Sequence, residues 1–68
     1  MNNEVFEISE SNQLLKAGDV SRILNISRSM TYRLLDHGEI PCIHINQAVR
    51  VHPNDLEAFI KKNRSSSR

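Results

Sequence analysis

LKAGDVSRILNISRSMTYRLLDHGEI, residues Leu15–Ile40, decides the fold. Val20, Ile23 and Leu24 fall at i, i+3 and i+4, an apolar stripe that predicts a helix from Ala17 to Leu24. Asp19 and Arg22 would then face water, and Asp19 puts a negative charge in the first turn, where the helix dipole favours it. Gly18 works against this helix, since glycine in a helix interior costs about 1 kcal/mol relative to alanine. Asn25 follows directly and tolerates the left-handed backbone with which helices end sharply. Ile26 plugs the corner and Ser27 is a strong N-cap, so Asn25-Ile26-Ser27 makes a three-residue turn.

A second helix is expected from Arg28 to Asp36 or His37. Thr31, Leu34 and Leu35 share its inner face, which leaves Arg28, Ser29, Tyr32 and Arg33 on the outer one. Gly38 stops it and Pro41 prevents continuation. Two short helices joined by a tight turn, the second with a basic and polar outer face, form a helix-turn-helix pattern. Such a pattern points to reading double-stranded DNA rather than to covalent chemistry.

Beyond Pro41 the period changes to two. Ile43 and Ile45 alternate with His44, and Val49 and Val51 alternate with Arg50. With Asn46-Gln47-Ala48 as the loop, Ile45 would pair with Val49 and Ile43 with Val51 on one face, placing His44 and Arg50 opposite each other on the exposed face. This is a small β-hairpin of the kind called a wing. Pro53 then opens a last helix as its first residue, Asp55 and Glu57 suit the early turns, and Lys61 and Lys62 suit the end. Leu56, Phe59 and Ile60 are its expected buried stripe. The fold class is therefore mainly α with a small β-hairpin, a winged helix-turn-helix with a three-helix core plus wing.

Sixty-eight residues allow one small domain. Residues 1–13 hold Glu4, Glu7 and Glu10 and no base, and read as a flexible acidic leader with Val5, Phe6 and Ile8 as isolated apolar members. Residues 14–62 are the DNA-binding domain, and 63–68 (NRSSSR) a basic flexible tail. The net charge of +1 hides an asymmetry: all nine Lys and Arg lie beyond residue 13, against five acids there. The single cysteine, Cys42, forms no internal disulfide and suits a reducing, cytoplasmic setting, and no signal peptide or membrane span is evident. Cys42, His44 and His52 match no zinc spacing, so no metal and no cofactor are expected. No nucleophile, base and orienter set occurs and no Gly-rich phosphate loop, so the chain does not read as an enzyme; the single tyrosine, Tyr32, lacks the basic activators a recombinase nucleophile needs.

Asn25-Ile26-Ser27-Arg28-Ser29, Thr31-Tyr32-Arg33-Leu34, Gly38-Glu39-Ile40-Pro41, Val49-Arg50-Val51 and Asp55-Leu56-Glu57-Ala58-Phe59 together resemble the excisionase family of small DNA-binding domains, relatives of the MerR-type winged helix. The resemblance covers Leu15 to about Ile60. The wing tip departs from it, with Asn46-Gln47-Ala48 where family wings carry a glycine and further arginines, and Lys16 stands where a Thr or Ser cap is common. The resemblance implies that Ser27, Arg28, Ser29, Tyr32 and Arg33 are recognition-helix positions. It also implies the role of a recombination directionality factor, which binds repeated sites beside an attachment sequence, bends the DNA and turns an integrase toward excision of a prophage or other mobile element. The residue chemistry agrees: arginine can bond both guanine acceptors in the major groove, and a helix N-terminus with a serine hydroxyl favours phosphate. Arg50 and His44 are the wing's candidates for DNA, Arg50 through the negative potential of the minor groove. Lys16, Arg22, Lys61, Lys62 and Arg64 are candidates for the DNA backbone. A MerR- or AlpA-like transcription regulator is the alternative, since it would use the same residues. No heptad run follows Ile60, which favours monomers assembling side by side on DNA over a coiled-coil dimer.

Overall fold

Asp19 sets the first helix. Its carboxylate accepts the Lys16 amide at 3.0 Å, so one of the free donors of the first turn region is satisfied and the chain turns from extended into helical backbone. Lysine has no acceptor to return the bond, so Lys16 caps through its backbone alone. The structure, a computed structural model, describes residues 13–64; the acidic leader up to Asn12 and the end of the tail lie outside the described residues. Helix α1 is Ala17–Leu24, α2 is Arg28–Asp36 and α3 is Pro53–Lys62. Three strands complete the chain: β1 (Leu15–Lys16), β2 (Ile43–Ile45) and β3 (Ala48–Val51). This is the winged helix-turn-helix, with one strand more than expected.

Both helices of the helix-turn-helix stop by the same device. Asn25 adopts φ 59°, Ile26 donates its amide to the Ser21 carbonyl at 3.0 Å, and Asn25 donates to Arg22 at 3.2 Å. Gly38 adopts φ 73°, with Glu39 donating to Leu34 at 2.9 Å and Gly38 to Leu35 at 3.1 Å. Each is a Schellman closure that satisfies carbonyls the helix itself leaves free. Ser27 caps α2 as expected, its Oγ accepting the Met30 amide at 3.0 Å. His52 caps α3 through Nδ1, which accepts the Asn54 amide at 3.0 Å and is therefore the unprotonated nitrogen.

The core gathers Ala17, Val20, Leu35, Ile40, Val51 and Leu56, with Val20, Ile40 and Val51 fully buried. In α1 the buried face is Ala17, Val20 and Ser21, with Leu24 packed at its edge, an i, i+3, i+4, i+7 stripe centred one position away from the expected one. Ile23 is consequently 53% exposed, not buried. Ser21 fits the interior because its hydroxyl donates to the Gly18 carbonyl at 2.8 Å; Thr31, fully buried in α2, likewise donates to Ser27 at 3.0 Å. Leu56 and Phe59 hold α3 to the core, but Ile60 projects beyond it and is 41% exposed, against the expectation of a three-residue stripe.

The sheet order is β1-β3-β2, antiparallel throughout. β1 was not expected: two residues carry no readable alternation, and Leu15 and Lys16 become a strand only because Val51 and Arg50 pair with them. The hairpin register also differs from expectation by one residue. Ile45 pairs with Ala48, His44 with Val49 and Ile43 with Arg50, around a two-residue Asn46-Gln47 loop. Asn46 takes φ 56°, the positive backbone angle that tight hairpins need at this point. A slip of one moves side chains to the other face. Val49 and Val51 of the central strand point to the core, whereas Ile43 and Ile45 of the edge strand lie exposed on the face of Arg50. His44 and Arg50 are not opposite each other; they belong to different faces.

Candidate nucleic-acid interface

The first turn of α2 presents the amides of Arg28 and Ser29 without acceptors inside the helix, next to the Ser27 hydroxyl. Arg28 and Tyr32, four apart, form one outer stripe, and Ser29 and Arg33 form the next, all four exposed. Tyr32 is 44% exposed and so presents an aromatic face rather than core packing.

Arg28 and Tyr32 border a groove of about 500 Å³ between the starts of α1 and α2 and the wing strand β3. Lys16, Arg22 and Arg50 complete its cationic lining, and Asp19 is its one carboxylate. Four cations, each on a different element, against one anion make a concavity of positive potential suited to a phosphate backbone. The β1–β3 pairing is responsible for part of this, because it sets Lys16 directly across from Arg50. Arg22 is bonded to Asp19 at 2.6 Å. The Lys16 amide, and then the Arg22 guanidinium, hold the Asp19 carboxyl below its ordinary value of 3.8. Arg50 donates one of its nitrogens to the Val49 carbonyl at 2.9 Å, which lays the guanidinium along the strand and leaves its other donors available.

Gly18 acquires a role here that its sequence did not disclose. A Cβ built on it would stand 3.1 Å from Arg28 Nη1, so the guanidinium of α2 rests on the bare backbone of α1. The one signal in the sequence was the cost itself, a glycine inside a helix. Gln47, at the wing tip, also lines the groove and was not among the expected positions.

The remaining candidates lie elsewhere. Ser27, Ser29 and Arg33 belong to α2 and its cap but do not line the groove. His44 sits against Cys42, with Nε2 3.7 Å from Sγ, on the other face of the wing from Arg50. Lys61 is 3.6 Å from Glu57 on α3. Lys62 borders a separate depression with Glu39 and Asp55, and Arg64 follows the helix end. Among the described residues no three His, Cys, Asp or Glu side chains are grouped to hold a metal, and no helix is long and apolar enough to cross a membrane.

Comparisons with known proteins agree with this geometry. Residues 14–64 match the sequence profile of a helix-turn-helix domain family. Two curated relatives, designated by name as DNA-binding proteins in Mycobacterium tuberculosis strains CDC 1551 / Oshkosh and ATCC 25618 / H37Rv, are each 35% identical over 49 residues. The matched segment is 72% of this chain and 63% of each relative, so the chain spans less than two thirds of their length. No solved structure matches significantly. The capped α2, the wing beside it and the profile match over residues 14–64 agree, and the chain belongs to this family of helix-turn-helix domains.

Proposed function

We propose that the protein is a sequence-specific accessory factor of site-specific recombination, an excisionase that binds beside an attachment site, bends the duplex and directs an integrase toward excision of a mobile element. The observation that carries the reading is the groove itself, where Lys16, Arg22, Arg28 and Arg50 converge from helix, helix-turn-helix and wing beside the exposed face of α2. In this reading α2 enters the major groove, which is wide enough for a helix. Arg28, Ser29, Tyr32 and Arg33 reach base edges or thymine methyls, while Ser27 and the free amides of the first turn hold a phosphate. Arg50 follows the backbone into the adjacent minor groove, with Lys16 beside it. His44, Lys61, Lys62 and Arg64 add contacts to phosphates at the periphery. An integrase and further copies of the chain, side by side on the DNA, are the proposed partners.

Two measurements test this. Footprinting and bending assays on attachment-region DNA are expected to show repeated protected sites and a bend, and an excision assay with the integrase of the same element is expected to depend on the protein. A single protected operator, with altered transcription and unaltered excision, would instead identify a MerR- or AlpA-like regulator. Arg28→Ala is expected to cost about 1–3 kcal/mol of specific binding, read by fluorescence anisotropy; wild-type affinity in that variant would remove Arg28 from the interface.

A further inference from the structure

The wing carries two apolar side chains on the face where cations gather. Residues directly opposite in an antiparallel sheet share a face, so Lys16, Arg50 and Ile43 form one row across β1, β3 and β2, and Ala48 and Ile45 form another. Lys16, Ala48 and Arg50 border the cationic groove, which puts both isoleucines on the side of the sheet that faces it. Ile43 is 40% exposed and Ile45 49%. A single isoleucine in water needs no explanation. Here both apolar residues of a three-residue strand turn outward, while His44, which could bond a phosphate, takes the opposite face.

Charge complementarity selects what covers them. A partner lying on Ile43 and Ile45 also lies beside Lys16 and Arg50, so it must be anionic and yet accept apolar side chains. The minor groove of a DNA duplex meets both demands. Its potential is negative, and side chains such as isoleucine can enter between its base steps, partly unstacking them and bending the duplex toward the major groove. Ile45 is the better placed of the two. It is the last strand residue before the Asn46-Gln47 tip, and its partner across the ladder is only Ala48, whose methyl group leaves most of the isoleucine clear.

We propose that Ile45 is a wedge that enters a base step from the minor groove, with Ile43 against the sugars behind it, and that this wedge is the source of the bend. The proposal rests on the reading that this face of the wing meets DNA. It adds that the wing deforms the duplex rather than only holding its phosphates. Steps of pyrimidine followed by purine, which unstack most easily, are the ones such a wedge selects.

The test uses the full chain and a duplex that the protein itself enriches from a random-sequence pool, with a donor and an acceptor dye at its ends. Wild-type protein is expected to raise energy transfer by bending the duplex. Ile45→Thr keeps the β-branched shape that strands favour and is expected to lose most of that rise, Ile43→Thr a smaller part. Neither side chain belongs to the core, so both variants should fold. Their slope of log affinity against log salt should match wild type, because isoleucine displaces no counterion, whereas Arg50→Ala should lower it by about 1. Ile45→Met retains an apolar wedge and should still bend. Ile23→Thr, at an equally exposed isoleucine outside the groove, should bend like wild type. An unchanged bend in Ile45→Thr would overturn the proposal, and so would a lost bend in Ile23→Thr. Arg28→Ala keeps the two readings apart. Wild-type affinity there removes the DNA interface itself, whereas weakened binding there with full bending in Ile45→Thr removes the wedge alone.

Discussion

At the scale of single residues, the least expected relation is between Gly18 and Arg28. Alanine at position 18 should stabilise α1 by up to about 1 kcal/mol on helix propensity alone. Its Cβ would meet the far end of a flexible side chain at 3.1 Å, so the guanidinium should yield rather than the backbone. Gly18→Ala is therefore expected to keep or raise the melting temperature while weakening DNA binding, a split read by thermal denaturation beside anisotropy. A fall in melting temperature with unchanged affinity would contradict it. Asp19 makes a different kind of prediction. Its folded carboxyl is held below 3.8, so it binds its proton less tightly than in the unfolded chain. Its contribution to stability is complete above the ordinary carboxylate range and drains away as pH falls through the lowered folded value. A carbon-detected titration should place the Asp19 midpoint below 3.8, and Asp19→Asn should lose that part of the acid sensitivity. Asn25, Ser27 and Pro53 were legible in the sequence because caps and stops act within a few residues. Gly18 was not, because the side chain that needs its missing Cβ comes from another helix.

At the scale of elements, helix positions were readable and strand pairing was not. Ala17–Leu24 and Arg28–Asp36 fell where capping chemistry put them, but the face of α1 that turns inward is chosen by α2 and β3. Small and polar Ser21 took the central position and Ile23 was left outside. The wing shows the same limit. Alternation alone allows two registers, and placing all four of Ile43, Ile45, Val49 and Val51 on one face favoured the wrong one. The two-residue loop wins because Asn46 accepts φ 56° and the edge strand has no core to face. Asn46→Val should thus destabilise the domain by about 1–2 kcal/mol, the cost of a left-handed backbone at a residue unsuited to it. Asn46→Gly should fold at least as well, and chemical denaturation of the two variants compares them directly.

At the scale of the whole molecule, the core is small enough that each fully buried side chain matters, since domains of this size bury only about 60% of their unfolded surface. Ile40, fully buried immediately after α2 closes, is the largest of these. Ile40→Ala should cost about 2–5 kcal/mol, visible as a lowered denaturation midpoint, and a wild-type midpoint would contradict its burial. The groove was half legible as well. Arg28, Tyr32 and Arg50 could be named from patterns, but that Lys16 joins them depends on β1, which no local signal announces. That strand of two residues has a kinetic consequence. Lys16 and Arg50 meet by a pairing of residues far apart along the chain, which forms only once a long loop has closed. A chain ending before the wing would lack Val51 and Leu56 of the core together with Arg50, so it would lose fold and positive surface at once. Affinity for DNA should accordingly return in refolding together with the helical signal, in one cooperative step, so that only a finished molecule competes for its site.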